Sequence, residues 1–203
     1  IAWLWPIGAG GAMPVGGDVT QFFLGLTSYL SESLADGRAP VWNDLWGYGF
    51  PGIGESQMGA FYPPHVVLYG ALSVERAYVA SLVLHTLWGG LGAYWAGRVF
   101  GLSRTGSAFS AFVFSTSGFF VIHIPHPWGY TTGSWLPWAW GAAWRLLNDD
   151  PNHDGRRTLA SRLFGLTLIL VLQVLPGHFQ IAFMTQAGIA AIAGWTVVER
   201  VRG

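Results

Sequence analysis

Cysteine is absent from the 203-residue chain, and so is lysine. The first absence excludes disulfides and thiolate metal sites and leaves the redox compartment open. The second leaves all ten basic residues as arginine, a bias we read as genomic base composition and not as a mechanism. Charge of either sign is scarce: 10% of residues are Asp, Glu, Lys or Arg, against about 25% in an ordinary soluble domain. The formal net charge is zero, which leaves no electrostatic footprint for nucleic acid. Apolar residues dominate instead, at 52% with 12 Trp and 13 Phe. Such a composition places the chain among integral membrane proteins, with the lipid bilayer as its first partner. Residue 1 is Ile, no charged segment precedes the first apolar stretch, and the chain stops just past a hydrophobic run. It is therefore expected to be a piece of a longer protein.

A bilayer core needs roughly 20 apolar residues in a helix, and six segments approach that length. They cover residues about 1 to 13, 76 to 100, 105 to 122, 131 to 147, 159 to 176 and 179 to 198. The expected fold is thus an all-α integral membrane protein forming one domain over 1–203: a long structured loop over 14–75, then a five-helix transmembrane bundle over 76–203. Within the loop, Phe22, Phe23, Leu26, Tyr29, Leu30 and Leu34 recur at helical spacing among polar residues, which predicts an amphipathic helix over 20–35 lying along the membrane surface. Asp36-Gly37 is its stop signal. Small residues at 106, 107, 108, 110 and 111 would allow close helix contact in the third span. The Trp residues at 135, 138, 140 and 144 read as interfacial anchors, with sugar stacking as the sharper alternative. Asn148 to Asp154 reads as a solvated linker.

Arginines flanking spans favour the cytoplasm. Arg98, Arg104, Arg145, Arg156, Arg157, Arg162, Arg200 and Arg202 all fall on one side by parity of crossings. The long loop is then extracytoplasmic, and with it come three polar clusters at the ends of apolar segments: Gly16-Gly17-Asp18, His123-Ile124-Pro125-His126-Pro127 and Gly177-His178-Phe179-Gln180. Asp18 follows two glycines that permit a tight turn or a close approach. It is a candidate general base, a candidate hard-oxygen ligand for Mg²⁺ or Mn²⁺, or an N-cap for the helix that follows. His126 and His178 are candidates for binding a phosphate, with His123 a weaker third, and Gln180 orients His178 or caps the last helix. Trp42, Trp46, Tyr48 and Tyr62, with Asn43, Asp44 and Gln57, offer carbohydrate contacts in a polar loop, or simply pack that loop on itself. His85 falls within the second span, where a polar residue is a functional hypothesis by default; a helix-to-helix hydrogen bond is the plainer reading, and chlorophyll ligation the rarer one.

The set Gly17-Asp18, Gln21, Gly37, Pro40, Trp42-Asn43, Gly49-Phe50-Pro51, Gln57, Gly59, Phe61-Tyr62-Pro63-Pro64, His85, Ser117-Gly118-Phe119, His126-Pro127 and Gly177-His178 with Gln180 resembles the N-terminal part of the bacterial YfhO-type multipass membrane proteins. The likeness runs over residues about 14 to 185. It implies a type C glycosyltransferase-like module of the bacterial cytoplasmic (inner) membrane that takes a sugar from a polyprenyl-phosphate carrier on the outer face. It also implies that Asp18 is the catalytic base or metal anchor, that His126, His178 and Gln180 surround the phosphate, and that the loop helix covers the site. Two positions depart from the family pattern: Leu24-Gly25 stands where a Pro is usual, and Phe179 replaces the Pro of a Gly-His-Pro-Gln turn. The alternative is a non-catalytic structural or accessory subunit of a larger membrane complex, a pigment complex among them.

Overall fold

The computed structural model describes residues 16–148 and 151–202, with the backbone alone over 151–158. The expected first span, residues about 1 to 13, lies outside the described residues. A π-helical turn, Val19–Phe23, runs into α1 (Leu24–Ala35). A two-residue antiparallel ladder follows, β1 (Trp42–Asn43) with β2 (Phe50–Pro51), pairing Trp42 with Pro51 and Asn43 with Phe50. After a 3₁₀ turn at Ser56–Met58 the chain is helical: α2 (Pro63–Ala71), α3 (Val74–Val99), α4 (Arg104–Ser115), α5 (Gly118–Ile122), α6 (Pro127–Ser134), α7 (Leu136–Asn148), α8 (Pro151–Val174) and α9 (Phe179–Arg202).

The fold is all-α, and among the described residues two segments are long and apolar enough to cross a membrane: Arg104–Ile122, which joins α4 and α5, and Phe179–Arg202. Only 11% and 22% of their apolar windows are covered by the rest of the chain. Leu159–Val174 is a shorter apolar helix. The expected fourth span is two helices, because the chain breaks at Trp135 between α6 and α7. The linker expected over 148–154 is already helical from Pro151 onward; a proline's fixed φ is preorganised for the first helical position, and its missing N–H is unneeded there.

Helix α3 is the hub, touching α1, α2, α4, α6 and α7. Its buried face is a stripe of small and polar residues, among them Ala77, Ser81, His85, Gly89, Gly92, Ala93 and Ala96. Indole rings fill the space this leaves. Trp138 sits over Gly92, Trp95 over Gly141 and Trp140 over Gly188, at distances where an added Cβ would stand 2.5 to 2.6 Å from a ring atom. Trp138 is stacked between Trp88 and Trp95, and its indole N–H donates to the Trp88 carbonyl at 3.0 Å. The tryptophans of α7 thus lock helix to helix through small-residue seams.

The loop helix forms over the expected residues. The apolar side of α1 and of the turn before it packs on the protein's own core: Phe23, Leu26 and Leu30 are fully buried with Met58, Tyr69, Tyr78 and Leu82. Each such side chain contributes about 1.5–3 kcal/mol on burial. Its end is as expected: Arg38 N–H bonds the Ser33 carbonyl and Gly37 N–H that of Leu34, the paired bonds of a Schellman stop.

Candidate functional site

Gly16 and Gly17 have φ of 110° and 53°, with open space around both Cβ positions. They make a turn, not a close approach. The turn delivers Asp18 to the N-cap position of the π-helical segment, yet its carboxylate makes no capping bond. Gln21 N–H and the Thr20 hydroxyl instead bond the Gly17 carbonyl. Asp18 Oδ2 lies 3.3 Å from Nε2 of His126, with the two side chains 54% and 39% exposed. A pair this open to water adds at most about 1 kcal/mol to stability, so the capping account fails and the contact is not structural glue.

His126 stands just before α6, whose first residue is Pro127. It belongs to a turn closed by its own N–H on the His123 carbonyl. The His123 ring is 5.9 Å from that of His126 and 6.4 Å from that of His178. What brings these rings together is Gly129: a Cβ there would fall 2.7 Å from His123 Cδ2 and 3.1 Å from His178 Cδ2. His123 Nδ1 lies 2.8 Å from the Phe119 carbonyl, so Nδ1 carries the hydrogen and Nε2 is left with a lone pair. His178 Nδ1 accepts from the Ile181 N–H at 3.4 Å, so its Nε2 carries the hydrogen. Burial, then the nearby His123 and His126 rings, hold His178 below the ordinary imidazole range, which keeps it neutral near pH 7. The three polar clusters therefore meet at one place.

The α8–α9 turn that holds His178 is fixed from the loop side. Gly177 has φ of 93°, and a Cβ on it would stand 2.1 Å from the Ser56 carbonyl oxygen; the Ser56 hydroxyl also donates to the Gly177 carbonyl. Gln57 is thereby set beside this turn, with its backbone N–H held by Glu55 Oε1. Gln180 is exposed, and the group that orients His178 is the Ile181 N–H and not the Gln180 amide. Asn43 is buried, with Oδ1 accepting from Leu45 N–H in a turn, while Trp42 is 55% exposed and gives its carbonyl to the Tyr29 hydroxyl.

Tyr62 is not in a watered region. It is fully buried, donates to His85 Nε2 at 2.7 Å and accepts from the Trp135 indole at 3.0 Å. Burial holds its phenol above the usual range. On the far side of His85, Nδ1 donates to the Ser81 carbonyl at 2.7 Å. Both ring nitrogens are engaged, so His85 joins helices and has no lone pair to offer a chlorophyll magnesium.

Three residues of this region escaped the sequence reading. Trp128, 7% exposed, walls the site beside His126 and against Phe22 and Phe23. Gly129 admits the histidines. Gln173, fully buried, ties α8 to α6 and α9 through the Thr132 carbonyl and the Thr185 hydroxyl; an amide in a Leu-Val run was a visible signal.

No protein-family model, no curated protein and no solved structure matches the chain. The site must be judged by its chemistry. It offers one carboxylate beside an imidazole N–H, a second imidazole N–H at His178, and an imidazole lone pair at His123. That set suits a proton acceptor next to hydrogen-bond donors for an oxyanion. It does not suit Mg²⁺ or Mn²⁺, which favour several hard oxygen ligands; among the described residues no group of three His, Asp or Glu is arranged to hold an ion.

Proposed function

We propose that the chain is a membrane glycosyltransferase-like module that uses a polyprenyl-phosphate-linked sugar at the extracytoplasmic face of a bacterial inner membrane, within a bundle of six spans. The observation that carries this reading is the Asp18 carboxylate, released from capping and set 3.3 Å from His126 beside His123 and His178. Asp18 accepts the proton of an acceptor hydroxyl. The acceptor oxygen bonds to the sugar's anomeric carbon, the bond from that carbon to the phosphate oxygen breaks, and the electron pair leaves with polyprenyl phosphate. His178 meets the phosphate with its Nε2–H, and His126 exchanges its bond to Asp18 for one to phosphate as Asp18 takes up the proton. Gln57 and Gln180 border the rim. No step is routed through a metal.

The test is release of polyprenyl phosphate from a polyprenyl-phosphate-linked hexose by the protein in lipid nanodiscs. Asp18→Asn is expected to slow it by about 10²–10⁴-fold, the usual scale for a general base; unchanged release removes Asp18 from the mechanism. The second reading, a non-catalytic accessory subunit of a larger membrane complex, draws on the exposed apolar faces of Arg104–Ile122 and Phe179–Arg202. It requires that the wild-type protein release nothing.

A further inference from the structure

A second cleft, of about 250 Å³, opens between α1 and the β1–β2 hairpin. Gly25, Ser28 and Glu32 line it from one face of α1, and Asn43 and Trp46 line it from the hairpin. The chemistry of these groups is specific. Trp46 is held in place by stacking on Phe50 at 5.1 Å and by the edge of Phe22 at 5.3 Å, so an aromatic wall is preorganised and needs no ordering on binding. Opposite stand a hydroxyl and a carboxylate. Asn43, with Oδ1 tied to Leu45 N–H, keeps its amide N–H₂ for a ligand. Gly25 carries no side chain to fill the entrance.

We propose that this cleft binds one neutral pyranose ring of the acceptor. The C–H groups on one face of a sugar ring are electropositive and fit the negative face of an indole. Its hydroxyls donate to the Glu32 carboxylate and accept from Asn43 and Ser28. The volume lies just under the usual range of about 300–1,000 Å³ for small-molecule pockets, which encloses one ring and not a chain. Charge separates the two sites. Glu32 repels phosphate here, whereas imidazole N–H groups receive it at His126 and His178. A row of aromatic rings links them: Trp46 meets Phe22, Phe22 meets Trp128 at 5.9 Å, and Trp128 meets His126 at 6.0 Å. The acceptor role rests on the glycosyltransferase reading, whereas the ring binding does not.

The experiment is saturation-transfer NMR on the full chain in phospholipid nanodiscs prepared without glycosidic detergent. The probes are methyl glucoside, methyl mannoside, methyl galactoside and, as the charged comparator, glucose 6-phosphate. At least one methyl glycoside is expected to receive saturation, with affinity at least about tenfold weaker in Glu32→Gln, since a hydrogen bond to a charged group contributes about 1.5–3 kcal/mol. Glu32 is exposed, so that variant folds, and Ser28→Ala gives an independent second loss. Asp18→Asn should leave glycoside binding unchanged, so binding that persists there while sugar release fails separates this site from the catalytic one. Saturation of none of the three glycosides, equal saturation in Glu32→Gln and wild type, or preference for the phosphate probe through Glu32 would each overturn the proposal.

Discussion

Replacing Gly129 with alanine sets two effects of opposite sign against each other. Gly129 lies within α6 at an ordinary helical φ, where alanine is favoured by up to about 1 kcal/mol. Against this, the new methyl would stand 2.7 Å from His123 Cδ2, where ordinary contact begins near 3.4 Å. His123 has little freedom to retreat, being bonded to the Phe119 carbonyl at 2.8 Å and stacked on the Phe119 ring at 4.2 Å. Losing that bond costs about 1 kcal/mol and loosening the stack about 0.5–1.5 kcal/mol. The net effect on stability is therefore a modest loss of roughly 0.5–2.5 kcal/mol, while the histidine geometry changes. A displacement of about 1 Å in a positioned group can lower a rate by about 10²-fold. The assay is a thermal-denaturation midpoint with ¹⁵N-edited spectra of the imidazole rings, for Gly129→Ala in the wild-type and His123→Ala backgrounds. With the ring gone, Gly129→Ala should become neutral or stabilising, and in the wild-type background the His123 and His178 signals should move. Equal cost in both backgrounds, with unmoved imidazole signals, would refute the claim that Gly129 exists to admit these rings.

Tyr62→Phe is expected to cost about 2–4 kcal/mol, because it strands both His85 Nε2 and the Trp135 indole N–H in the interior; a shift in thermal midpoint no larger than that of an exposed Tyr48→Phe control would show the network is not needed. Gly177→Ala should destabilise by at least about 1–3 kcal/mol from its backbone conformation alone, and because the methyl also meets the Ser56 backbone, protease sensitivity should rise at the 52–58 segment; cleavage unchanged there contradicts the docking. His65 is fully buried, and burial, with His85 nearby, pushes its imidazole down from 6.5 to about 3. The unfolded chain therefore binds more protons at that residue, and stability falls as pH drops below about 6.5. Between pH 6.5 and 4.5 the loss is about 2 kcal/mol, the slope reaching 1.36 kcal/mol per unit only below about pH 5.5, and it should be missing in His65→Met; parallel acid profiles for variant and wild type would rule it out.

The helices were legible wherever a run of side chains had one kind of neighbour. The stop of α1 and the start of α9 followed from local signals, a glycine after the last apolar residue and a polar turn before the first. What could not be read was the partner of each apolar face. Helix α1 carries the spacing expected of a surface helix, but periodicity says only that one side avoids water; whether lipid or the Tyr69–Tyr78–Leu82 cluster covers it depends on contacts dozens of residues away. The α7 tryptophans posed the same ambiguity. Their spacing suits an interface, yet Gly92, Gly141 and Gly188 sit on α3, α7 and α9 at heights that no one-dimensional pattern relates to the rings they face.

The site follows a different logic, because polar groups at the ends of apolar segments have few places to go. Asp18, His126 and His178 gather around His123. Distance alone, however, does not decide chemistry. Asp18 could have capped its own helix while remaining as close to the histidines, and a capping carboxylate would be a poor base because its lone pairs are already held by backbone N–H groups. The decisive feature is a substitution of partners: the Gly17 carbonyl takes the bonds of Thr20 and Gln21, which leaves the carboxylate to the imidazole. Tyr62 shows the converse. A phenol in a Trp- and Pro-rich loop offered a sugar contact by composition, but Pro63 at the first position of α2 turns the chain inward, and the hydroxyl is used up between His85 and Trp135. Residue type proposes a site, and the accounting of each donor and acceptor decides which groups still have a bond to give.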